Sequence, residues 1–90
     1  MSNGTKKPIR LSQHALGYIA RRGFTEAEVE ETIRLGSWQP AQAGRSEAVQ
    51  EFPYNNDWNG TFCTTKRVRP VFVEGATEIV VVTVYTYFFS

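Results

Sequence analysis

The sequence predicts one α+β domain: a hairpin of two helices packed on one face of an antiparallel sheet of about four strands. Three observations carry that expectation. Thr25-Glu26-Ala27-Glu28 is a capping box, the signature of a helix start. From Ile79 to the end the chain is isoleucine, valine, threonine and aromatics, the composition of a strand. Ninety residues suffice for one hydrophobic core and not for two.

Residues 1–8 are polar, contain Gly4 and Pro8, and read as a loose arm that leaves the domain to residues 9–90. Ser12 reads as a helix N-cap, with Leu11 and Leu16 spaced as a hydrophobic staple around it. A helix is expected over residues 13–22, closed by Gly23 in the left-handed conformation. At 100° per residue, Ala15, Leu16, Ile19 and Ala20 face the core, and His14, Tyr18 and Arg21 face away, with Arg22 at the border. The second helix follows at once from Thr25. Phe24 and Val29 repeat the staple, the early glutamates suit the positive end of the helix dipole, and Gly36 ends it.

After Pro40 the texture changes to strands. Residues 47–52 alternate loosely, 55–60 are dense in turn formers, and 62–65 and 67–74 are strand candidates. Pro70 implies an edge or a bulge, because proline donates nothing to a ladder. The run 78–89, apolar on both faces, is expected inside the sheet. One register puts Val80, Val82, Val84 and Phe88 under the helices. It turns Thr83, Tyr85 and Tyr87 together to an open face.

Composition narrows the function classes. The longest apolar run, Ile79-Val80-Val81-Val82, is far short of the roughly 20 residues that span a bilayer, so no membrane partner is expected. The polar start does not read as a secretory leader, and a cytoplasmic location fits best. A lone Cys63 excludes an internal disulfide framework and a cysteine-rich zinc site. No phosphate-binding glycine loop, HExxH or GxSxG is present, so neither a cofactor nor a metal is expected. The net charge of +1 hides a segregation: Lys6, Lys7, Arg10, Arg21 and Arg22 precede the first acid. Charge therefore permits a nucleic-acid partner without demanding one.

Leu11-Ser12-Gln13-His14-Ala15, then Arg22-Gly23, the Thr25 helix, Val68-Arg69-Pro70-Val71-Phe72 and Val82-Thr83-Val84-Tyr85 together form a pattern. In that order they resemble a family of small bacterial, often cyanobacterial, proteins of unassigned function with an SxHA…RG…TVY signature. That family is grouped by fold with the RelE- and BrnT-like toxins, small ribonucleases of toxin–antitoxin pairs. The resemblance spans most of the chain. It implies a RelE-like fold, and RNA, the ribosome or a small cognate antitoxin as partners. The chain departs from those toxins in being near neutral rather than strongly basic.

A metal-independent ribonuclease needs a group to take the 2′-hydroxyl proton, one to protonate the leaving oxygen, and cations for the pentavalent phosphate. His14 is the only imidazole in the chain and is the candidate acid/base. Arg21 and Arg22, two helical turns on, are candidate phosphate cations, and Tyr85 is a candidate donor from the sheet. Tyr18, Lys66, Arg67, Arg69 and Thr83 complete the set as substrate-binding groups. Each also has a structural reading: cations at a helix C-terminus, charges guarding an edge strand, tyrosines packing a half-wet face. The leading function is a toxin-like, metal-independent ribonuclease or a degenerate relative of one, and the alternative is a non-catalytic protein-binding module using the same open face.

Overall fold

The computed structural model describes residues 6–90. The loose arm expected over residues 1–8 therefore lies largely outside the described residues. Its last members are tied down: Lys7 Nζ donates to Glu74 and to the Gly75 carbonyl, and the Pro8 carbonyl accepts from Ile79 N–H.

The architecture is α+β, with three helices and a six-stranded mixed sheet among the described residues. In chain order these are β1 (Ile9–Leu11), α1 (Gln13–Leu16), α2 (Ile19–Arg22) and α3 (Glu26–Leu35), then β2 (Gln39–Pro40) and β3 (Ser46–Glu47). The long strands β4 (Gln50–Trp58), β5 (Thr61–Glu74) and β6 (Ile79–Phe89) follow. The strand order is β1-β6-β5-β3-β2, and β4 also pairs with β5. The sheet is mixed because β1 runs parallel to β6, while every other pairing is antiparallel. The expectation of about four antiparallel strands missed β1, β2 and β3. Strands of two or three residues are too short to show a period of two.

The first predicted helix is two. Tyr18 N–H bonds the Ala15 carbonyl three residues back, and Tyr18 sits at φ −101°, ψ 0°, so the helix breaks between α1 and α2. Gly17, the weakest helix former in the segment, stands at the break. The break rotates the second half: Ala15 is buried, but Leu16 and Ala20 face solvent, and Tyr18 packs against the core. Gly23 closes α2 at φ 70°, and a side chain there would run into the Trp58 ring. The capping box of α3 forms as read: Glu28 N–H donates to Thr25 Oγ1, and Thr25 N–H to Glu28 Oε1.

The core lies between the helices and one face of β5 and β6. Phe24, Val29 and Ile33 meet Val68, Phe72, Ile79, Val81 and Val84 there. Residues 62–65 and 67–74, expected as two strands, are one. Pro70 is not at an edge but in this central strand, beside a bulge at residues 71–72. Its carbonyl accepts from Ala48 N–H, so its missing N–H falls on the same side, opposite the gap between β3 and β4, where no ladder bond is lost.

The bulge also corrects the register of β6. Phe72 pairs with Val81 and Val71 with Thr83, leaving Val82 as the extra residue. A bulge swaps the faces on its far side. Beyond it the expectation holds: Val84 is buried, and Thr83, Tyr85 and Tyr87 share the helix-free face. Before it the parity is reversed, with Ile79 and Val81 fully buried and Val80 and Val82 only partly so.

No helix of the described residues is long and apolar enough to cross a membrane.

Candidate functional site

The site forms where one edge of β6 is left without a neighbouring strand. β1 pairs with β6 only from Ile79 to Val81. Ser12 then covers the next edge groups, its N–H donating to the Val81 carbonyl and its hydroxyl to the Val82 carbonyl. Arg22, at the end of α2, covers the one beyond. Its Nη1 donates to the Val84 carbonyl at 2.9 Å and reaches Thr83 Oγ1 at 3.3 Å. Thr86 answers by donating its hydroxyl to the Arg22 carbonyl. The guanidinium is thereby fixed at the rim between the helix side and the open face.

Around that fixed cation runs a continuous stack. His14 lies edge-on to Tyr18, with ring centres 4.9 Å apart. Arg22 lies 3.9 Å from the centre of Tyr18 and 5.2 Å from the centre of Tyr85. Arg21 adds a second cation, 5.3 Å from Tyr18. Arg69 sits 4.9 Å from the centre of Tyr85, because the two are direct cross-strand partners. It donates onward to the Tyr87 hydroxyl at 3.0 Å and pairs with Glu47 at 3.4 Å. Each cation–π contact contributes about 0.5–1 kcal/mol where exposed, so the stack positions its guanidinium groups more than it stabilises the fold.

Most of the residues singled out in the sequence are joined in this stack: His14, Tyr18, Arg21, Arg22, Arg69, Thr83 and Tyr85. Arg67 lies one register step further along the same face. Its guanidinium packs on Phe89 and is held by its cross-strand partner Glu51, at 2.7 Å. Lys66 does not join them. Side chains alternate along a strand, so Lys66 points to the helix side while Arg67 and Arg69 point away. It is 6% exposed, and its ammonium is taken up by Glu28 at 2.8 Å and the Gly23 carbonyl at 2.9 Å. Burial and pairing remove it from the phosphate-binding set.

Among the described residues the His14 imidazole makes no hydrogen bond, and the residue is exposed. Tyr85 and Tyr87 are 39% and 43% exposed. No group of three His, Cys, Asp or Glu side chains among the described residues converges so as to hold a metal ion. Cys63 is buried and pairs with no other cysteine among the described residues.

Beside the stack a cleft of about 540 Å³ opens between the open face and the turn joining β2 to β3. Arg69, Val71, Thr83 and Tyr85 form its floor, and Pro40, Gln42 and Arg45 its wall. Nothing in the sequence marks Arg45, Gln42 or Glu47 as a site residue. The turn that carries Arg45 lies between strands of two residues each, which leave no periodic trace.

No family model, curated protein or solved structure matches the chain.

Proposed function

We propose that this chain is a toxin-like, metal-independent ribonuclease. The observation that carries the reading is the unbroken contact from His14 through Tyr18 and Arg22 to Tyr85 and Arg69. It sets an open imidazole, a locked guanidinium and a phenol side by side on one rim, the three kinds of group that cleavage through a 2′-hydroxyl needs. In this reading the 2′-oxygen attacks its own phosphorus, and His14 takes the proton. The P–O5′ bond breaks with Tyr85 giving its proton to the leaving oxygen, and a 2′,3′-cyclic phosphate and a 5′-hydroxyl result. Arg22 and Arg21 stabilise the charge of the pentavalent phosphorus, and Arg69 orients Tyr85. Bonds already made to Thr83 and Val84 keep Arg22 in place before the substrate arrives, so little reorganisation remains for the reacting complex.

The alternative, a protein-binding module, draws on the same face: Val49, Val73, Tyr85 and Tyr87 are exposed there. The test is a melt and an RNA-cleavage assay run side by side with chelator present, on the parent and His14→Ala, with free RNA and with translating ribosomes. The ribonuclease reading expects His14→Ala to slow cleavage by about 10²–10⁴-fold, the usual size of a general acid–base contribution. The variant should melt as the parent does, because an exposed side chain without a hydrogen bond supports little of the fold. A parent that cleaves nothing under either condition leaves the binding module standing.

A further inference from the structure

The cleft beside the stack is built on a tight turn. Ala43 and Gly44 are consecutive left-handed residues, at φ 60° and φ 72°, and Ala41 N–H donates to the Arg45 carbonyl at 2.8 Å. That closure holds Arg45 on the wall facing the sheet. Among the described residues Arg45 has no acidic or hydrogen-bonding partner for its side chain, whereas Arg22, Arg67 and Arg69 each have one. On the floor, Arg69 Nε is buried without an acceptor, although the rest of its guanidinium is engaged. Two guanidinium groups thus face one cleft that holds a single carboxylate, that of Glu47.

At about 540 Å³ the cleft has the size of a small-ligand site rather than of one anion. Its lining is divided accordingly. Arg45 supplies a cation suited to a phosphate, Arg69 adds its charge to the floor while held by Glu47 and Tyr87, Pro40 and Val71 supply apolar surface, and the Gln42 amide offers both a donor and an acceptor. The cleft is contiguous with the stack, because Thr83 and Tyr85 belong to both.

We infer that this cleft seats a third nucleotide of a single-stranded RNA, beyond the two that flank the cleaved bond, with its phosphodiester on Arg45. The inference rests on the RNA-directed reading above for the class of ligand, and on the cleft's own lining for the place. It makes strand length a determinant of recognition: a dinucleotide fills the stack, and only a longer strand reaches Arg45.

Binding is measured by calorimetry with 2′-O-methyl RNA, which cannot be cleaved through its 2′-oxygen. The ligands are a dimer, a hexamer and inorganic phosphate, and the proteins are the parent, Arg45→Gln and Arg45→Lys. The parent should bind the hexamer more tightly than the dimer. Arg45→Gln should weaken the hexamer about fivefold and reduce the slope of log affinity against log salt by about 0.7, the loss of one single-strand phosphate contact. The dimer should be unaffected, and Arg45→Lys should restore the salt slope. An unchanged hexamer affinity in Arg45→Gln overturns the inference, and so does an equal loss for dimer and hexamer. Inorganic phosphate binding as tightly as the hexamer also overturns it, since the cleft would then be a small-anion site. A parent that shows Arg45-dependent hexamer binding yet cleaves no RNA retains this inference and refutes only the catalytic reading. A parent that cleaves RNA with an inert Arg45 does the reverse.

Discussion

Replacing Lys66 by alanine should damage the fold and spare RNA binding, the opposite of what a phosphate clamp would do. Its ammonium bridges two elements, donating to the Glu28 carboxylate of α3 at 2.8 Å and to the Gly23 carbonyl that ends α2 at 2.9 Å. Glu28 is already engaged through its other oxygen, which accepts the Thr25 N–H in the capping box. Alanine would strip both the carbonyl and the second carboxylate oxygen of their donor. Removing one partner of a buried ion pair costs about 3–5 kcal/mol when the other is left dry. The Lys66 side chain is 7% exposed and that of Glu28 20%, so water partly rescues the carboxylate. A cost of about 2–3 kcal/mol follows, in the lower part of that span and below it. Against a total of roughly 5–13 kcal/mol for a domain of this length, that is a large fraction. It should lower Tm by about 10–20 °C. Thermal and urea melts read the fold, and the salt slope of RNA affinity reads the phosphate contacts. Pairing Lys66→Met with Glu28→Gln should recover much of the loss, because no unpaired charge remains. A Lys66→Ala protein melting within a degree or two of the parent, with a shallower salt slope, would show that Lys66 faces solvent and phosphate.

Two further perturbations test the sheet. Val84 is fully buried beyond the bulge and Val82 is the bulged residue, so Val84→Asp should give no cooperative urea transition while Val82→Thr costs about 1 kcal/mol or less. A cooperative melt of Val84→Asp would show that the bulge is misplaced. Glu78 is held below the ordinary carboxylate range by its hydrogen bonds from Arg10, so the unfolded chain binds its proton more readily. Stability from this pair is therefore present above the unfolded carboxylate's pKa and lost as pH falls through the lower, folded one. Urea midpoints from neutral pH down to about pH 3 should fall less steeply for Glu78→Gln than for the parent, by a small margin since the pair is exposed. Identical profiles would contradict this.

The parts of the fold written in local signals were legible. The capping box of α3, the left-handed Gly23 and the long final strand all rest on a few adjacent residues, and they stand where the sequence puts them. The parts set by distant pairing were not. Val82 becomes a bulge only because β5 slips against it at residues 71–72, and that slip reversed the inside and outside of residues 79–82. The same limit applied to the site. Thr83, Tyr85 and Tyr87 were placed on one face because they follow the bulge, and Arg69 joins them by cross-strand register. Lys66 carries no local mark of its burial, because only its three-dimensional partner, Glu28, reveals that its parity points inward. Arg45 leaves no mark in the sequence because a turn between two-residue strands carries no pattern, yet it supplies the cation on the cleft wall.

The proposed function places RNA on the rim from His14 to Arg69, and the footprint of a single-stranded 2′-O-methyl RNA on the amide spectrum of the protein at low salt tests that placement. Shifts are expected at His14, Tyr18, Arg22, Thr83, Tyr85 and Arg69, fading as salt is raised. No response is expected at Glu26 and Glu30 on α3, whose acids repel phosphate, or at the Asn59-Gly60 hairpin tip. Shifts confined to α3 or to that tip, or none at any RNA concentration that the salt slope allows, would contradict an RNA-binding rim.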